Sequence, residues 1–575
     1  MQGYENYGMM QLLAAAGCIA AVVLCFVAAL VYFRYKNKKF LMRRIRNSWG
    51  KIPERKYDPT EFDVISHYYV NRETDRFQID DITWNDLEMD QIFQLLNHTN
   101  SFLGESFLYY QLRTPALKKE ELEEFESMVS WFQSHTKERE KMEYFFAQVG
   151  KTGRNSIFDY IYNLKDAYSG SLWVHFGFIA MILASIILLF INPQPGILAL
   201  LASMGISIGT YEHYKRPIAP YIISCVALQK ILLSAEEMAK MDIPVLDGKR
   251  ELLQRNTADF KKLRRNMALL ILSEQQGGLV EGIINYINNC FHLDLIQFKT
   301  VVKEMSARLE GFEEIVETIG KMEAAIAVAS FRTWHPYASV PALRDDNVFF
   351  HSEDMVHPLL DQPVPNSIST EKCILLTGSN ASGKSTFLKT AAVTALLAQT
   401  IHTVTAASYE GCCFRIFTSM ALRDDLAGEE SYFMVEIRSL KRILDRIQGE
   451  VPVLCCVDEV LRGTNTIERI AASSKILESM AEKRVICFAA THDIELTYLL
   501  EGIFRNCHFE EEVTEQDIKF DYKCKEGRAT TRNAIRLLKL MGYEDDIIQA
   551  AEKTADLLSE RELVNTVNEN FSKHE

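Results

Sequence analysis

The chain has 575 residues, 48% hydrophobic and 24% charged, with a formal net charge of −14. At roughly 100–200 residues per domain it holds three or four units, and its composition excludes disordered, collagen-like and disulfide-stapled classes. The acidic balance excludes a protein that coats nucleic acid, so contact with DNA requires a local basic patch. The 12 cysteines are scattered or adjacent (Cys412-Cys413, Cys455-Cys456), with no CxxC spacing. They read as reduced cytosolic thiols, not as bridges or a zinc site.

In chain order, the first element is an uncharged stretch from Asn6 to Phe33, apolar throughout Met9–Phe33. About 20 apolar residues cross a bilayer core, so residues 1–33 are predicted to form an N-terminal transmembrane anchor. A cleaved signal would carry positive charge before the apolar run. Here the charge follows it, in Arg34, Lys36, Lys38, Lys39, Arg43, Arg44 and Arg46. Positive charge stays cytoplasmic, which places the N-terminus outside and the rest of the chain inside. The basic run lies beside anionic lipid headgroups, making membrane lipid a partner.

Residues 34–171 form the first part of a cytoplasmic helical core. A second uncharged stretch follows, broken at Asn192-Pro193-Gln194-Pro195-Gly196, where a helix cannot continue. Leu172–Ile191 is long enough to cross, and Gly196–Tyr211 needs flanking residues to do so. Residues 172–213 are therefore expected to be a transmembrane hairpin with both ends cytoplasmic, its alternative being a buried helical hairpin. Residues 214–345 continue the helical core, with apolar residues at 3–4 spacing over Phe298–Val328.

From residue 346 short β-branched runs (Cys373–Leu376, Val451–Val457, Val485–Ala490) alternate with helical patterns, as in a parallel α/β sheet. This α/β domain spans 346–555, expected to be a P-loop ATPase domain from the loop that follows, and 556–575 is a polar tail. Its strongest signal is Gly378-Ser379-Asn380-Ala381-Ser382-Gly383-Lys384-Ser385-Thr386, between the first strand run and the helical run Phe387–Leu397. Glycines let backbone N–H groups close around phosphate, and the helix N-terminus adds positive dipole. Lys384 suits the β- and γ-phosphates of ATP and Ser385 a Mg²⁺ ion. The second strand run ends in Asp458-Glu459: the aspartate suits Mg²⁺, the glutamate the polarisation of water. The third ends in Thr491-His492, a histidine able to sense the γ-phosphate.

These residues resemble the MutS family of mismatch-repair ATPases. Gly378–Thr386 looks like the family's GPNxxGKST, with Ser379 in place of proline. Asp424-Asp425-Leu426-Ala427 and Ser431-Tyr432-Phe433-Met434-Val435-Glu436 are similar to DDL…STFMVEM. Asp458 to Thr466 is similar to DEIGRGTST, departing at Val460-Leu461. Ala490-Thr491-His492 matches ATH, and His357-Pro358 resembles the family's RHP entry. Tyr522-Lys523 through Gly527, then Ala534–Gly542, is similar to a helix-turn-helix ending. The likeness extends weakly to Gly104-Glu105-Ser106 and Leu112-Arg113-Thr114-Pro115 in the helical core. It implies an ABC-type ATPase, homodimeric through this domain, with Ser431 facing the partner's γ-phosphate and slow, switch-like hydrolysis. Where the family carries its mismatch-reading domain this chain has an anchor, and no Phe-x-Glu wedge stands in such a position.

Two functions follow. The first is an ATPase at the inner (cytoplasmic) membrane, multi-pass, with its ATPase domain in the cytosol, coupled to DNA (mismatched, branched or damaged) in repair or recombination. The second is a membrane ATPase whose nucleotide-driven dimerisation regulates an unknown protein partner without DNA. The basic clusters open to DNA are Lys249-Arg250 and Lys261-Lys262-Arg264-Arg265, whose favoured reading is a solvated helix face. A conventional ABC exporter ranks third, for want of an LSGGQ motif and of enough spans.

Overall fold

A computed structural model describes residues 24–25, 28 and 31–557, less 73, 153–156, 165–170, 273–278, 346, 380, 421–431, 448, 462–463, 482–483, 514–517, 530–534, 536–537 and 539–540. The chain divides into two compact units: residues 1–76, 93–113 and 123–336, and residues 77–92, 114–122 and 337–575. The linear division expected from the sequence therefore differs in one respect. Residues 77–92 and 114–122 lie within the stretch assigned to the helical core, yet they fold with the C-terminal unit. Asp86 accepts hydrogen bonds from Thr418 Oγ1 (2.7 Å) and Met420 N (3.0 Å), and Ala116 N donates to Gln399 O (2.8 Å). Contacts so distant in sequence leave no local signature.

The first unit is helical throughout its described residues. The continuous pattern over Phe298–Val328 resolves into two helices, Leu293–Ser306 and Leu309–Trp334. The second buries Phe312, Ile315, Ile319, Met322 and an alanine-rich end against Phe102–Arg113. Glu323 reaches from it to accept from the N–H of Ser101 (2.9 Å) and of Asn100 (2.5 Å), satisfying donors at the start of Phe102–Arg113. A helix over residues 31–48 docks on the same unit. Ile45 is buried, Arg46 pairs with Glu140 (2.9 Å), and Gly50 N donates to Ser330 Oγ (3.0 Å).

Leu172–Ile191 and Pro193–Lys215 form a helical hairpin with extensive mutual packing. Asn192 ends the first helix, and Pro193 opens the second in its first turn, where a missing N–H costs nothing. The second helix is thus longer at both ends than the expected Gly196–Tyr211. Gly196 allows the close approach: a Cβ there would lie 2.3 Å from Leu189 Cα. Leu172–Ile191 alone is long and apolar enough to cross a membrane among the described helices. Pro193–Lys215 qualifies only with Ala219–Ala239, from which it is bent by 74°. Apart from residues 24–25, 28 and 31–33, the N-terminal apolar stretch lies outside the described residues.

The second unit contains twelve strands among its described residues: β1 (Ala338–Ser339), β2 (Ala342–Leu343), β3 (Phe350–Met355), β4 (Asn366–Thr370), β5 (Cys373–Thr377), β6 (Val404–Thr405), β7 (Ser408–Gly411), β8 (Arg415–Ser419), β9 (Val453–Asp458), β10 (Val485–Ala490), β11 (Phe504–Val513) and β12 (Ile518–Glu526). The principal sheet runs β12-β11-β5-β10-β9-β8, parallel except for the antiparallel edge β12. A smaller four-stranded sheet runs β2-β7-β3-β4, and β1 pairs with β6. β5, β9 and β10 are buried at every residue, which explains their unbroken apolar sequences. Leu375, Cys455, Val457 and Cys487 pack there with Phe417 and Leu477. The expected parallel sheet is thus a mixed one. Tyr522 and Lys523, assigned by resemblance to a helix-turn-helix ending, lie in β12, and most of Ala534–Gly542 falls outside the described residues.

Candidate nucleotide site

β5 leads into the loop at Gly378, and a 17-residue helix, Lys384–Thr400, leaves it. Gly383 caps that helix at φ +105°, a left-handed conformation that disfavours a side chain. A Cβ there would also come within 3.3 Å of the Tyr522 ring. Ala381 is left-handed too (φ +67°), so the loop turns tightly. Lys384 Nζ crosses it, donating to the carbonyls of Gly378 (2.8 Å) and Ser379 (2.7 Å). Ser379, which replaces the proline of the resembled motif, uses its hydroxyl to bond Glu511 on β11 (2.7 Å).

A cavity of about 520 Å³ opens over this loop. Residues Ala381–Thr386 line it together with Glu459 and His492, so three segments remote in sequence meet at one place. Glu459 Oε1 lies 2.7 Å from His492 Nε2. The backbone holds both: Glu459 N donates to Ala490 O and Thr491 N to Leu376 O, each at 2.9 Å. Met355, Leu360, Val364 and Tyr522 make an apolar side of the cavity suited to a nucleoside. Gly378 and Ser379 stand at the loop's start rather than in the lining. Asn380, Ser431 and the Asp424-Asp425 pair lie outside the described residues.

Oxygen donors fit a hard divalent cation. Asp458, at the end of β9, is buried, and its Oδ1 has no hydrogen-bond partner. Ser385, exposed in the first helical turn, faces the cavity. A carboxylate and a hydroxyl beside phosphate oxygens are Mg²⁺ ligands, so Asp458 and Ser385 would hold the ion.

Three further residues belong here whose roles sequence reasoning missed. His357 lines the cavity, and burial pushes its pKa down to about 4, so it is neutral at pH 7. Its Nε2 is buried without a partner. Glu511 anchors the loop through Ser379. Glu436 on the Tyr432–Arg446 helix is buried and accepts from Leu461 N (2.5 Å), tying that helix to the segment after Glu459. The signal for Glu436 was a carboxylate inside an otherwise amphipathic helix.

A mixed sheet of this order, with a phosphate-type loop leaving a central strand, is the fold of P-loop ATPases. Residues 374–559 match the model of MutS domain V. The chain is 29% identical over 284 residues to DNA mismatch repair protein MutS of Natronomonas pharaonis, covering 48% of this chain and 33% of that protein. It is 31% identical over 210 residues to DNA mismatch repair protein MutS of Thermus thermophilus, covering 36% and 26%. To DNA mismatch repair protein MutS 2 of Halobacterium salinarum it is 27% identical over 287 residues, covering 48% and 33%. These matches support a MutS-type domain V over residues 374–559. The chain spans about a third or less of the length of these curated relatives.

Proposed function

We propose that the protein is a MutS-type ATPase that binds ATP with Mg²⁺ in the cavity over Gly378–Thr386 and hydrolyses it slowly. The observation that carries this is the Glu459–His492 pair lining the same cavity as Lys384 and Ser385. Lys384 exchanges its loop carbonyls for β- and γ-phosphate oxygens, and the backbone N–H groups of the helix start share that charge. Glu459 accepts the proton of the attacking water, while His492 fixes the carboxylate's direction. Mg²⁺, when bound, neutralises charge developing on the phosphates. Tyr522 and the apolar wall orient the nucleoside.

The ATPase acts as a homodimer in this reading. Exposed apolar residues on two helices beside the site support it: Met434 and Ile437 on one, Ile467, 80% exposed, on the other. Ser431, adjoining the first helix, then meets the partner's γ-phosphate. The hairpin anchors the protein in the cytoplasmic membrane with residues 1–33. Trp173 and Phe190, 82% and 85% exposed, support contact with lipid.

The relatives' names carry DNA mismatch repair, and coupling of ATP state to mismatched, branched or damaged DNA is the reading drawn from them. One observation favours the second reading, a membrane ATPase acting on a protein partner. Within the basic clusters Lys249 pairs with Glu124 (3.7 Å), Arg250 with Asp242 (2.7 Å), Lys262 with Glu304 (2.8 Å) and Arg264 with Glu236. Of the six basic residues in these clusters, only Lys261 and Arg265 have no ion pair among the described residues. Titrating homoduplex, mismatched and branched DNA against salt on the full-length protein decides. DNA coupling requires a log–log slope of roughly −0.9 per phosphate contacted and a shift with ATP; no binding at low salt selects the second reading.

A further inference from the structure

A second cavity, of about 590 Å³, lies wholly within the helical unit, between the 31–48 helix and the turn at residues 97–100. Its lining carries Arg43, Arg44, Lys51, Arg55 and Lys151, against one carboxylate, Glu54. Two of these cations are already engaged. Arg55 pairs with Glu105 (2.7 Å) and Glu61, and Lys151 with Glu105 (2.9 Å). Glu105 Oε1 also accepts from Asn97 (2.7 Å). Arg43, Arg44 and Lys51 make no ion pair or hydrogen bond through their side chains among the described residues. Asn97, His98 and Asn100 line the same cavity. The cavity is not a loose flank of basic residues, because Arg46–Glu140, the Arg139 guanidinium over Trp49 and Gly50–Ser330 hold the helix and its exit against the core.

Three unpaired cations, two of them guanidinium forks, converge on a concave space with neutral hydrogen-bonding groups at its back. Guanidinium matches phosphate oxygens two at a time, and a compact cavity takes a headgroup-sized ligand rather than an extended polyanion. We propose that this cavity binds the phosphate group of a small anionic phosphate ester, either the headgroup of an anionic phospholipid or a soluble phosphate monoester. The proposal stands independently of the ATPase reading. The chain entering the cavity's helix comes from the apolar 9–33 stretch, which brings a headgroup within reach if that stretch lies in a bilayer.

Calorimetric titration of the full-length protein in neutral detergent tests this with short-chain phosphatidylglycerol, short-chain phosphatidylcholine, glycerol 3-phosphate and a DNA duplex. Arg44→Gln, Lys51→Gln and the double variant are compared with the wild type. Both side chains are exposed and unpaired, so the variants keep the fold, which unchanged ATP turnover checks. Saturable binding of phosphatidylglycerol or of glycerol 3-phosphate, weakened about tenfold or more in the double variant, supports the site. Phosphatidylglycerol alone identifies a lipid headgroup; equal binding of glycerol 3-phosphate identifies a soluble ester. Binding must persist in Lys384→Ala, and its loss there would assign the signal to the nucleotide site and overturn the proposal. Equal affinity in wild type and double variant, no binding of either anionic probe, or Lys51-dependent binding of the duplex alone would overturn it too.

Discussion

His492 Nε2 stands 2.7 Å from Glu459 Oε1, with Glu459 directly after β9 and His492 two residues after β10. Glu459 takes the left-handed φ of +57° and Leu461 one of +61°, conformations that persist only where surrounding contacts enforce them. Here Ala490 O holds Glu459 N. In the proposed mechanism Glu459 is the base and His492 its positioning residue, so Glu459→Gln should keep ATP affinity and lower turnover by about 10²-fold or more. His492→Asn should lower turnover less and shift its pH profile. Single-turnover hydrolysis and nucleotide binding, measured side by side, check both. Wild-type hydrolysis in Glu459→Gln would move the base elsewhere.

Glu436 offers a separate test of how the Tyr432–Arg446 helix communicates with the segment after Glu459. Its carboxylate accepts from Leu461 N at a buried position. Glu436→Ala leaves that N–H unpaired, which costs about 1–3 kcal/mol. Turnover and ATP-dependent dimerisation should fall together while monomeric ATP affinity stays within about twofold. Dimerisation by light scattering and ATP binding by titration separate the two effects.

The candidate nucleotide site was legible because phosphate chemistry demands fixed spacing. A loop of Gly378-to-Thr386 pattern needs a strand before and a helix after, and β5 and Lys384–Thr400 supply them. β9 and β10 were legible for a simpler reason, burial on both faces. The rest depended on contacts remote in sequence. Nothing local marks residues 77–92 as part of the ATPase unit, since Asp86 finds its partners more than 330 positions away. β12 alternates polar and apolar residues at a sheet edge, a pattern the resemblance overrode. Ser379 read as a departure from a motif, and only the fold brings Glu511 to its hydroxyl.

Acid should destabilise the C-terminal unit through His357. Its folded pKa is about 4 against an ordinary 6.5, with burial the largest cause. The unfolded chain then binds more protons between those values, so stability is lost as pH falls through 6.5 and is unaffected well above it. The loss at pH 5.5 is about 1 kcal/mol. Glu143 and Glu323 oppose it in the helical unit, because burial raises them to about 8 and about 7. Comparing wild type with His357→Gln isolates the histidine: the wild type should lose more melting temperature between pH 7.5 and pH 5.5 than the variant. Equal losses would contradict a neutral, buried His357.

Membrane topology has its own test at the hairpin turn. Gln194 lies in the first turn of Pro193–Lys215, at the far end from Lys215. With native cysteines removed, a cysteine at Gln194 should react with a membrane-impermeant thiol reagent in intact cells. One at Lys215 should react only after the membrane is opened. Protection at both positions, with an N-terminally truncated chain released by carbonate, would make the hairpin an element of the helical core.

ATP affinity of the purified full-length protein with and without the Lys384 ammonium tests the central claim most directly. Lys384 Nζ is held across the loop by the carbonyls of Gly378 and Ser379, placed to meet phosphate oxygens. Charge-assisted contacts contribute about 1.5–3 kcal/mol, so Lys384→Ala should weaken ATP binding by about ten- to a hundredfold in an equilibrium titration with Mg²⁺. Unchanged affinity in a variant that melts like the wild type would contradict the assignment of this cavity as the nucleotide site.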